Sequence, residues 1–401
     1  MKNAFSTADL WTGEPDLVAL AAWAADLRRQ ITHPIDLAVV FVSPLYFEAA
    51  ADIIACLRSA TGNPVLIGCS TNSLIAGETE CEDSQGISLG LFSLPGAELE
   101  VVRFSQNQVD EWSGAGYWRL ETGREPESLN GWLAFADPFS LDAERWLSQW
   151  DDAFSGVPIL GGLASGNYSS RQTQVYLNDQ LFEGGGVAVA LGGKVALSGI
   201  ISQGCTPIGE TWTITKTEGN LIHEIGNRPA YQLLVETLAG MSADLQRKTR
   251  GNLFVGLVMD EYRSEFERGD FLIRNILGAD SETGAIAIGA MPRPGQTLQF
   301  QRRDAEASSE DMMVLLRRAQ NELAGRKVYG GCLCSCNGRG KRLFGPIHHD
   351  ARHVQDAFGP MGLAGFFCNG EIGPVAGRNF LHGYTASLAL FVEKKPFPGV
   401  L

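Results

Sequence analysis

The chain has 401 residues, of which 44% are hydrophobic and 19% are charged, and its formal net charge is −14. A chain of this length buries one large core or two to three smaller ones, and its acidic balance argues against a groove for nucleic acid. No uncharged apolar run approaches the roughly 18 residues of a membrane-spanning helix. The eight cysteines lack the spacing of a disulfide framework, which is typical of a reducing compartment. These features predict a cytoplasmic globular protein without membrane insertion.

A unit of strand, helix, strand, loop and strand recurs three times along the chain. The first copy has predicted strands at 37–43, 64–72 and 86–94 and a helix at 48–60. The second has strands at 131–138, 158–167 and 185–193 and a helix at 141–153. The third has strands at 329–340, 361–373 and 380–394 and a helix near 350–358. Short apolar runs bounded by Gly and Pro are typical of buried strands, so the pattern predicts an α/β fold of mixed α+β character, with mixed sheets built from repeated strand–helix–strand–strand units.

Between the second and third copies the pattern changes. Residues 227–240 predict a helix that Pro229 begins, and residues 269–304 read as three successive strands. Ser308 and Asp311 have the spacing of a capping box, which predicts that a second helix begins there.

Several of these segments resemble the FIST (F-box and intracellular signal transduction) domain family. The N-terminal part of the resemblance lies in "LIGCSTNSLIAG", "GGLASGN" and "VYLNDQLFEGGGVAVAL". The C-terminal part lies in "CNGRGKRLFG", "LAGFFCNGEIGPV" and "NFLHGYTASLALF". The order of these segments is more specific than any one of them. The resemblance predicts an N-terminal lead-in at 1–29, a FIST N-like domain at 30–220 and a FIST C-like domain at 221–401.

The resemblance implies a sensory protein that binds a small ligand and regulates a separate partner. Amino acids are the ligands proposed for the family, and a histidine kinase is one kind of partner. Some bacterial members of this length are similar to haem-binding nitric-oxide sensors, so haem is the alternative cofactor that the resemblance implies. No output module is visible in the sequence, which is why a separate signalling partner is expected.

Small polar residues end the second strand of the first two copies, and they are candidates for binding the ligand. They are Cys69, Ser70, Asn72, Ser165 and Asn167. Their glycine-rich surroundings match neither phosphate-binding fingerprint, which disfavours a nucleotide. Loops at strand ends carry function disproportionately, so we expect these residues to line a ligand pocket.

The third copy adds four further candidates. Arg339 lies where the family has a C-x-x-R-G motif; its guanidinium can bind a carboxylate through two hydrogen bonds, or it is a solvated loop residue. Glu371 is placed to bind an ammonium group, to pair with Arg339 or to cap a turn. Thr385 is polar within an apolar strand, and buried polar groups need partners. Cys336 lies where its strand opens into a loop.

Cys332, Cys334 and Cys336 alternate along one predicted strand, so their side chains share one face. This spacing differs from the CxxC pairs of a zinc knuckle. Cysteine packs as a small hydrophobe, so the sequence favours a place in the core or in a pocket wall. A structural metal site and a reactive thiol are the alternatives.

Two histidines are candidates for an axial ligand if haem is bound, namely His382 and His223. The simpler interpretation of His382 is a buried histidine with its hydrogen bonds satisfied.

Three classes of function are compatible with the sequence: a ligand-binding sensor, a protein–protein scaffold, and a hydrolase that uses Cys69 or Cys336 as nucleophile. No local catalytic signature such as GxSxG is present, so a function other than catalysis is favoured. We expect the pocket where the glycine-rich strand ends of the two predicted parts converge.

Overall fold

The computed structural model describes residues 5–82, 85–167, 169–263, 265–266 and 268–395. The chain forms two compact units, one made of residues 1–201 and 313–401 and the other of residues 202–312. The boundary predicted at residues 220 and 221 lies in the turn between two strands that pair with each other. The division of the sequence into two FIST-like domains therefore differs from the division into compact units, and it stays a prediction.

The first half of the described chain contains thirteen strands and five α-helices, with short 3₁₀ helices at Pro44–Ala49 and Pro126–Ser128. The strands are β1 (Ser6–Trp11), β2 (Leu37–Val42), β3 (Val65–Ser70), β4 (Leu74–Ala76), β5 (Thr79–Cys81), β6 (Ile87–Phe92), β7 (Ala97–Phe104), β8 (Gly131–Ala136), β9 (Ile159–Leu163), β10 (Val175–Leu177), β11 (Gln180–Phe182), β12 (Gly186–Gly193) and β13 (Val195–Ser202). The helices are α1 (Leu17–Arg28), α2 (Ala50–Ala60), α3 (Gln106–Asp110), α4 (Ala115–Thr122) and α5 (Ala143–Ala153).

The remaining described elements follow in chain order. Up to residue 303 they are β14 (Cys205–Glu218), β15 (Leu221–Ile225), β16 (Arg228–Pro229), α6 (Ala230–Ala239), α7 (Ala243–Thr249), β17 (Leu253–Val258), β18 (Phe271–Ala279), β19 (Ile286–Ile288) and β20 (Thr297–Arg303). Beyond it they are α8 (Ala305–Glu322), β21 (Val328–Cys336), α9 (Lys341–Phe344), α10 (His349–Phe358), β22 (Leu363–Cys368), β23 (Glu371–Val375), β24 (Arg378–His382) and β25 (Ala386–Glu393).

The described strands of the first unit form three six-stranded sheets with one common plan. Their strand orders are β1-β6-β2-β3-β10-β11, β7-β12-β8-β9-β23-β24 and β13-β25-β21-β22-β4-β5. In each sheet the first two strands of one copy run parallel, and the last strand of that copy lies antiparallel beside the first. The prediction of an α/β fold with mixed sheets built from repeated units is confirmed.

Each copy lends a hairpin to the sheet of another copy. The hairpin β4–β5 of the first copy extends the third sheet, β10–β11 of the second extends the first, and β23–β24 of the third extends the second. The strands predicted from the sequence do not include β4, β5, β10 or β11, and parts of β23 and of β24 fall within the long strands predicted at 361–373 and 380–394. Periodicity carries no information about which sheet a short strand joins. The cyclic exchange links all three sheets at the ends of their second strands.

Matching backbone hydrogen bonds fix these crossings. Near the end of each second strand, one N–H donates to the carbonyl that precedes the incoming hairpin: Ser70 to Gln174 at 2.8 Å, Leu163 to Gly370 at 2.8 Å, and Phe367 to Ser73 at 3.0 Å. At the end of each first strand, one N–H donates to the carbonyl of the residue before the last strand. Ser43, directly after β2, donates to Gly86; Asp137, directly after β8, donates to Gly185; and Cys336, the last residue of β21, donates to Thr385. The three strand ends therefore share one backbone frame.

A glycine occupies the same register position in each second strand, at Gly68, Gly161 and Gly365. A Cβ built on any of them would overlap the facing carbonyl oxygen of the first strand. These glycines are required because the two parallel strands approach each other closely here.

Aromatic side chains fill much of the apolar interior of the first unit. Phe41 stacks on Phe366 with ring centroids 4.4 Å apart, and a separate cluster contains four fully buried tryptophans, at 118, 132, 146 and 150. Aromatic side chains bury large areas and dominate the packing energy of a core. The strands that carry these ends are therefore held in place by a densely packed aromatic core.

The described strands of the second unit form one antiparallel sheet of order β14-β20-β17-β18-β19-β15-β16, and pairing of β14 with β15 closes it on itself. The three strands predicted at 269–304 are confirmed as β18, β19 and β20, and α6 begins directly after Pro229. The capping box predicted at Ser308 is wrong. Helix α8 begins at Ala305, and the Ser308 hydroxyl donates to the carbonyls of Asp304 and Gly204 instead.

None of the helices in the described part of the chain combines the length and the apolar composition that crossing a bilayer requires.

Candidate functional site

A polar cleft of about 810 Å³ lies at the ends of β3, β21 and β22 in the first unit. It is lined by Asn72, Ser73, Glu82, Asn337, Lys341, Arg342, Phe367 and Asn369. Its volume is within the range of about 300–1,000 Å³ that is usual for small-molecule sites. All of these residues belong to the first unit, and the cleft is therefore a feature of that unit by itself.

Three asparagines form the amide wall of the cleft. Asn337 Nδ2 donates to Asn369 Oδ1 at 2.8 Å, and Asn369 Nδ2 donates to the carbonyl of Ala164 at 3.0 Å. Asn72 Nδ2 donates to the carbonyl of Gly166 at 2.7 Å. Because each amide is already held by a protein oxygen, the wall presents hydrogen-bonding groups in fixed orientations.

The cleft also carries charges of both signs. Lys341 and Arg342 are exposed at its edge, at the start of α9. The Glu82 carboxylate accepts a hydrogen bond of 2.7 Å from the Lys341 backbone N–H. Gly340 has φ = 63°, and a Cβ there would overlap Glu82. The cleft can therefore offer cations to a carboxylate and a carboxylate to an ammonium group.

Arg339 lies behind the cleft in a buried ion pair. Its Nε and Nη2 donate to the two carboxylate oxygens of Asp350 at 2.7 and 2.9 Å, and both side chains are almost completely buried. Burial by itself would raise the pKa of Asp350, but the Arg339 charge holds it well below its usual range. His349 and Ser335 add hydrogen bonds to the same carboxylate. Arg339 therefore binds a carboxylate through two hydrogen bonds, as a planar guanidinium group can. That carboxylate is the Asp350 side chain and not a ligand.

Glu80 is a second buried carboxyl group beside this pair. One of its oxygens accepts from the Ala351 N–H at 2.8 Å. Burial and, to a smaller extent, the Asp350 charge raise the pKa of Glu80 to about 7. The position of α10 is therefore tied to β5 through a group that titrates near neutral pH.

Glu371, the first residue of β23, is fully buried. Its carboxyl group is within hydrogen-bond distance of Cys368 Sγ, at 3.1 Å, and accepts from the Thr385 N–H at 3.0 Å. It also forms a hydrogen bond with the Cys336 side chain. Burial raises the pKa of Glu371 to about 8, although these hydrogen bonds and the Arg339 charge oppose the shift. The structure brings Cys336, Glu371 and Thr385 together as one buried cluster.

Ser70 and Ser165 are buried and join the second strands to one another. Ser70 Oγ donates to the Ser165 carbonyl at 2.8 Å, and Ser165 Oγ donates to the Phe367 carbonyl at 2.6 Å. Ser165 Oγ also accepts from the Asn72 N–H at 3.1 Å. These two serines hold the loop of Asn72 in place, and Asn72 is the member of the predicted set that lines the cleft.

Two predicted residues lie apart from this group. Cys69 is fully buried in the apolar core, and burial raises its pKa well above the usual range. Asn167 is exposed, and its side chain accepts from the N–H groups of Ser169 and Ser170, as in a turn. Neither lines the polar cleft.

The three alternating cysteines divide between two environments. Cys332 and Cys334 are buried in the core, whereas Cys336 is half-buried. Among the described residues, no group of three or more His, Cys, Asp and Glu side chains is arranged to hold a metal ion.

The two histidines considered for haem lie in different units. His382 is buried, and its Nε2 lies 3.0 Å from the carbonyl oxygen of Gly373. His223 belongs to the second unit and faces Glu218, with 3.5 Å between Nε2 and Oε2. Neither histidine lines the polar cleft.

Sequence reasoning did not identify Asn337, Asn369, Lys341, Arg342 or Asp350. A usable signal was present for the asparagines, since the tripeptide Cys-Asn-Gly occurs twice, at 336–338 and 368–370. The two cysteines of these tripeptides are directly opposite each other in the parallel pair β21–β22. The asparagine of each repeated tripeptide therefore lies in the wall of the cleft.

Two family models match this chain. The FIST N domain matches residues 36–228 and the FIST C domain matches residues 230–374. An uncharacterized protein of Mycobacterium tuberculosis is 40% identical over 376 residues, which is 94% of this chain and 96% of that protein. An uncharacterized protein of Mycobacterium bovis is 37% identical over 357 residues, which is 89% of this chain and 90% of that protein.

Among solved structures, a cyanuric acid hydrolase from A. caulinodans covers 98% of this chain and 99% of its own, at 8% identity and a TM-score of 0.36. A likeness this low carries no inference about activity. The two domain matches cover most of the sequence in the order found here, and the chain belongs to the FIST family.

Proposed function

We propose that this protein is a cytoplasmic sensor that binds a small amino-acid-like ligand in the polar cleft and regulates a separate signalling partner, such as a histidine kinase. FIST domains are associated with sensing in signal transduction. The observation that carries the proposal is the lining of the cleft, where fixed asparagine amides lie beside two cations and one carboxylate.

The chemistry of the lining fits a zwitterion. Arg342 and Lys341 are suited to a ligand carboxylate, and Glu82 is suited to an ammonium group. The asparagines supply neutral donors and acceptors that set the orientation of a ligand. A cytoplasmic location is supported by the cysteines, all eight of which lie in the described residues as thiols outside any disulfide.

The test is a thermal-unfolding screen of the purified protein against the twenty L-amino acids. A ligand present at about 100 times its Kd stabilises the folded state by about 2.7 kcal/mol, which is readily measured as a rise in Tm. We expect at least one amino acid to raise the Tm of the wild type and to have no effect on Asn369→Ala or Lys341→Ala. Lys248→Ala is the matched control, because Lys248 is an exposed lysine of the second unit. Equal shifts in all four proteins would refute binding in the cleft.

Haem-based sensing of nitric oxide is the alternative that the family suggests, and the surroundings of His382 and His223 do not favour it. Its test is the visible absorption spectrum after addition of haemin. A Soret band distinct from that of free haemin, lost in His382→Ala or His223→Ala, would favour haem over an amino acid.

The environment of Cys69 also bears on the hydrolase alternative. Burial keeps its thiol protonated at neutral pH by raising its pKa, whereas a nucleophilic cysteine needs a lowered pKa and access to substrate. Slow alkylation of Cys69 near neutral pH is the expected result, and fast alkylation would revive that alternative.

A further inference from the structure

Two cysteines in direct register precede the cleft residues Asn337 and Asn369 in the chain. Cys336 ends β21 and Cys368 ends β22, and the two residues are partners in this parallel pair. Register partners on adjacent strands project to the same face, with backbones about 4.7–4.9 Å apart. That spacing lies within the Cα separation of about 4.4–6.8 Å that a disulfide spans.

A single carboxyl group contacts both thiols. Cys368 Sγ lies 3.1 Å from Glu371 Oε1, and the Cys336 side chain forms a hydrogen bond with the same carboxyl group. Both sulfur atoms are therefore directed toward one point. Burial of a cysteine in this core does not require contact with a carboxyl group. Cys332 and Cys334 are buried, and the contacts described for them include no carboxyl group.

The two thiols differ in access. Cys336 is half-buried and precedes the exposed Asn337 of the cleft wall, whereas Cys368 is fully buried. The Gly338 N–H donates to Cys336 Sγ at 3.4 Å. A small oxidant that approaches from solvent therefore reaches Cys336 before the fully buried Cys368.

We propose that Cys336 and Cys368 are a redox-active thiol pair that a hydroperoxide converts into an intramolecular disulfide between the ends of β21 and β22. This modification site is independent of the proposed ligand, because its residues and its oxidant can be tested without any amino acid.

The reaction balances in two steps. The Cys336 sulfur attacks one oxygen of the hydroperoxide and the O–O bond breaks; the thiol proton passes to the leaving alkoxide, giving an alcohol and a Cys336 sulfenic acid. The Cys368 sulfur then displaces hydroxide from that sulfenic acid, while its own proton passes through Glu371 to the hydroxide and water leaves. The two thiols lose two electrons, and the hydroperoxide gains them.

Peptide mapping of the full chain tests the proposal. The protein is treated with excess hydrogen peroxide, remaining thiols are blocked with iodoacetamide, and peptides are analysed by mass spectrometry without reduction. We expect one cross-linked species that joins the peptides of Cys336 and Cys368, with Cys332 and Cys334 still reduced. Recovery of Cys336 and Cys368 as separate alkylated or over-oxidised peptides would overturn the proposal, as would a different pairing.

Two variants sharpen the result. In Cys368→Ser the Cys336 sulfenic acid has no resolving thiol, so dimedone should label Cys336 severalfold more than in the wild type. Cys56→Ser is the matched control, because Cys56 is another half-buried thiol, on α2, and it should form the disulfide normally. Loss of the cross-link in the control, or absence of dimedone label in a folded Cys368→Ser, would contradict the assigned roles.

Discussion

The third copy of the repeated unit has the same backbone frame as the first two copies but different chemistry at its strand ends. Register places Leu74 and Val175 at the positions that correspond to Glu371, and each is the first residue of an exchanged hairpin. The first two are buried apolar residues, and the third is a buried carboxyl group. The frame is made by backbone hydrogen bonds and close glycines, so it tolerates any side chain at these positions.

The comparison extends to the end of each first strand, that is, to the residues that follow β2 and β8 and to the last residue of β21. Ser43, Asp137 and Cys336 donate equivalent backbone hydrogen bonds, yet their side chains do different things. Asp137 accepts from the N–H groups of Phe139 and Ser140 and closes its own turn, whereas Cys336 joins the Glu371 cluster. The buried carboxyl group of Glu371 and the two cysteines that contact it therefore all belong to the third copy, and the corresponding hairpin positions of the other two copies, Leu74 and Val175, are apolar.

The largest loss of stability is expected from breaking the buried ion pair between Arg339 and Asp350 in the third copy. Arg339→Ala leaves Asp350 buried without its cation, which costs about 3–5 kcal/mol in the free energy of unfolding. Denaturant titration measures it. The matched control is Arg145→Ala, which breaks an exposed pair with Asp110 at 2.8 Å and should cost less than about 1 kcal/mol. Similar losses in the two variants would contradict the special position of Arg339.

The common frame predicts equal sensitivity in the first and third copies. Gly68→Ala and Gly365→Ala each force a Cβ against a facing carbonyl oxygen, and overpacking of this kind costs about 1–3 kcal/mol. Thermal unfolding of both variants checks this.

The control for these glycines is Gly116→Ala. Gly116 lies in α4 with no atom near its would-be Cβ, so alanine there should be neutral or stabilising by up to about 1 kcal/mol. A large loss in one copy and none in the other would break the equivalence of the sheets.

Glu371 should make stability depend on pH where Leu74 and Val175 do not. Its pKa is about 8 in the folded protein against an ordinary value of 4.5, so the folded state binds a proton that the unfolded state releases between these pH values. Its contribution to stability is therefore lost as the pH rises from about 4.5 to 8, by at most about 1.4 kcal/mol per pH unit.

Glu371→Gln removes this loss, so its stability relative to the wild type should increase with pH across that window. Denaturant midpoints at several pH values measure the difference. The free energy of unfolding of Glu371→Gln should still decrease with pH, but less steeply than that of the wild type, because Glu80 has a pKa of about 7. Glu322→Gln, at an exposed residue of α8, should give a curve parallel to the wild type, and a parallel curve for Glu371→Gln would show that its carboxyl group does not titrate as described.

The sequence predicts the scaffold better than the site. Apolar runs bounded by glycine locate β2, β3, β8, β9, β21 and β22 to within a few residues. They do not reveal the hairpin exchange, which depends on contacts between copies. Ser308 illustrates the same limit, because its local capping pattern is overridden by a hydrogen bond to Gly204, about a hundred residues away in the chain.

For the site, residue type singled out chemically distinctive residues but did not identify the groups that they contact. Arg339 and Glu371 stand out in the sequence as charged residues in glycine-rich loops. Their partners Asp350 and Cys368 are ordinary in sequence and become significant only when α10 and β22 pack behind the cleft. The local sequence therefore indicates which residues at a strand end are chemically distinctive, whereas the side chain that each of them contacts is determined by the fold.

Ligand binding in the polar cleft is the central claim, and calorimetric titration tests it most directly. The amino acid with the largest thermal shift is titrated into the wild type, into Lys341→Ala/Arg342→Ala and into the control Lys248→Ala. The account predicts saturable one-to-one binding to the wild type and the control, and at least a tenfold rise in Kd, about 1.4 kcal/mol, in the double variant. Binding of equal strength in all three proteins would contradict binding in the cleft, and no heat of binding in any of them would contradict the claim and would favour a protein–protein scaffold.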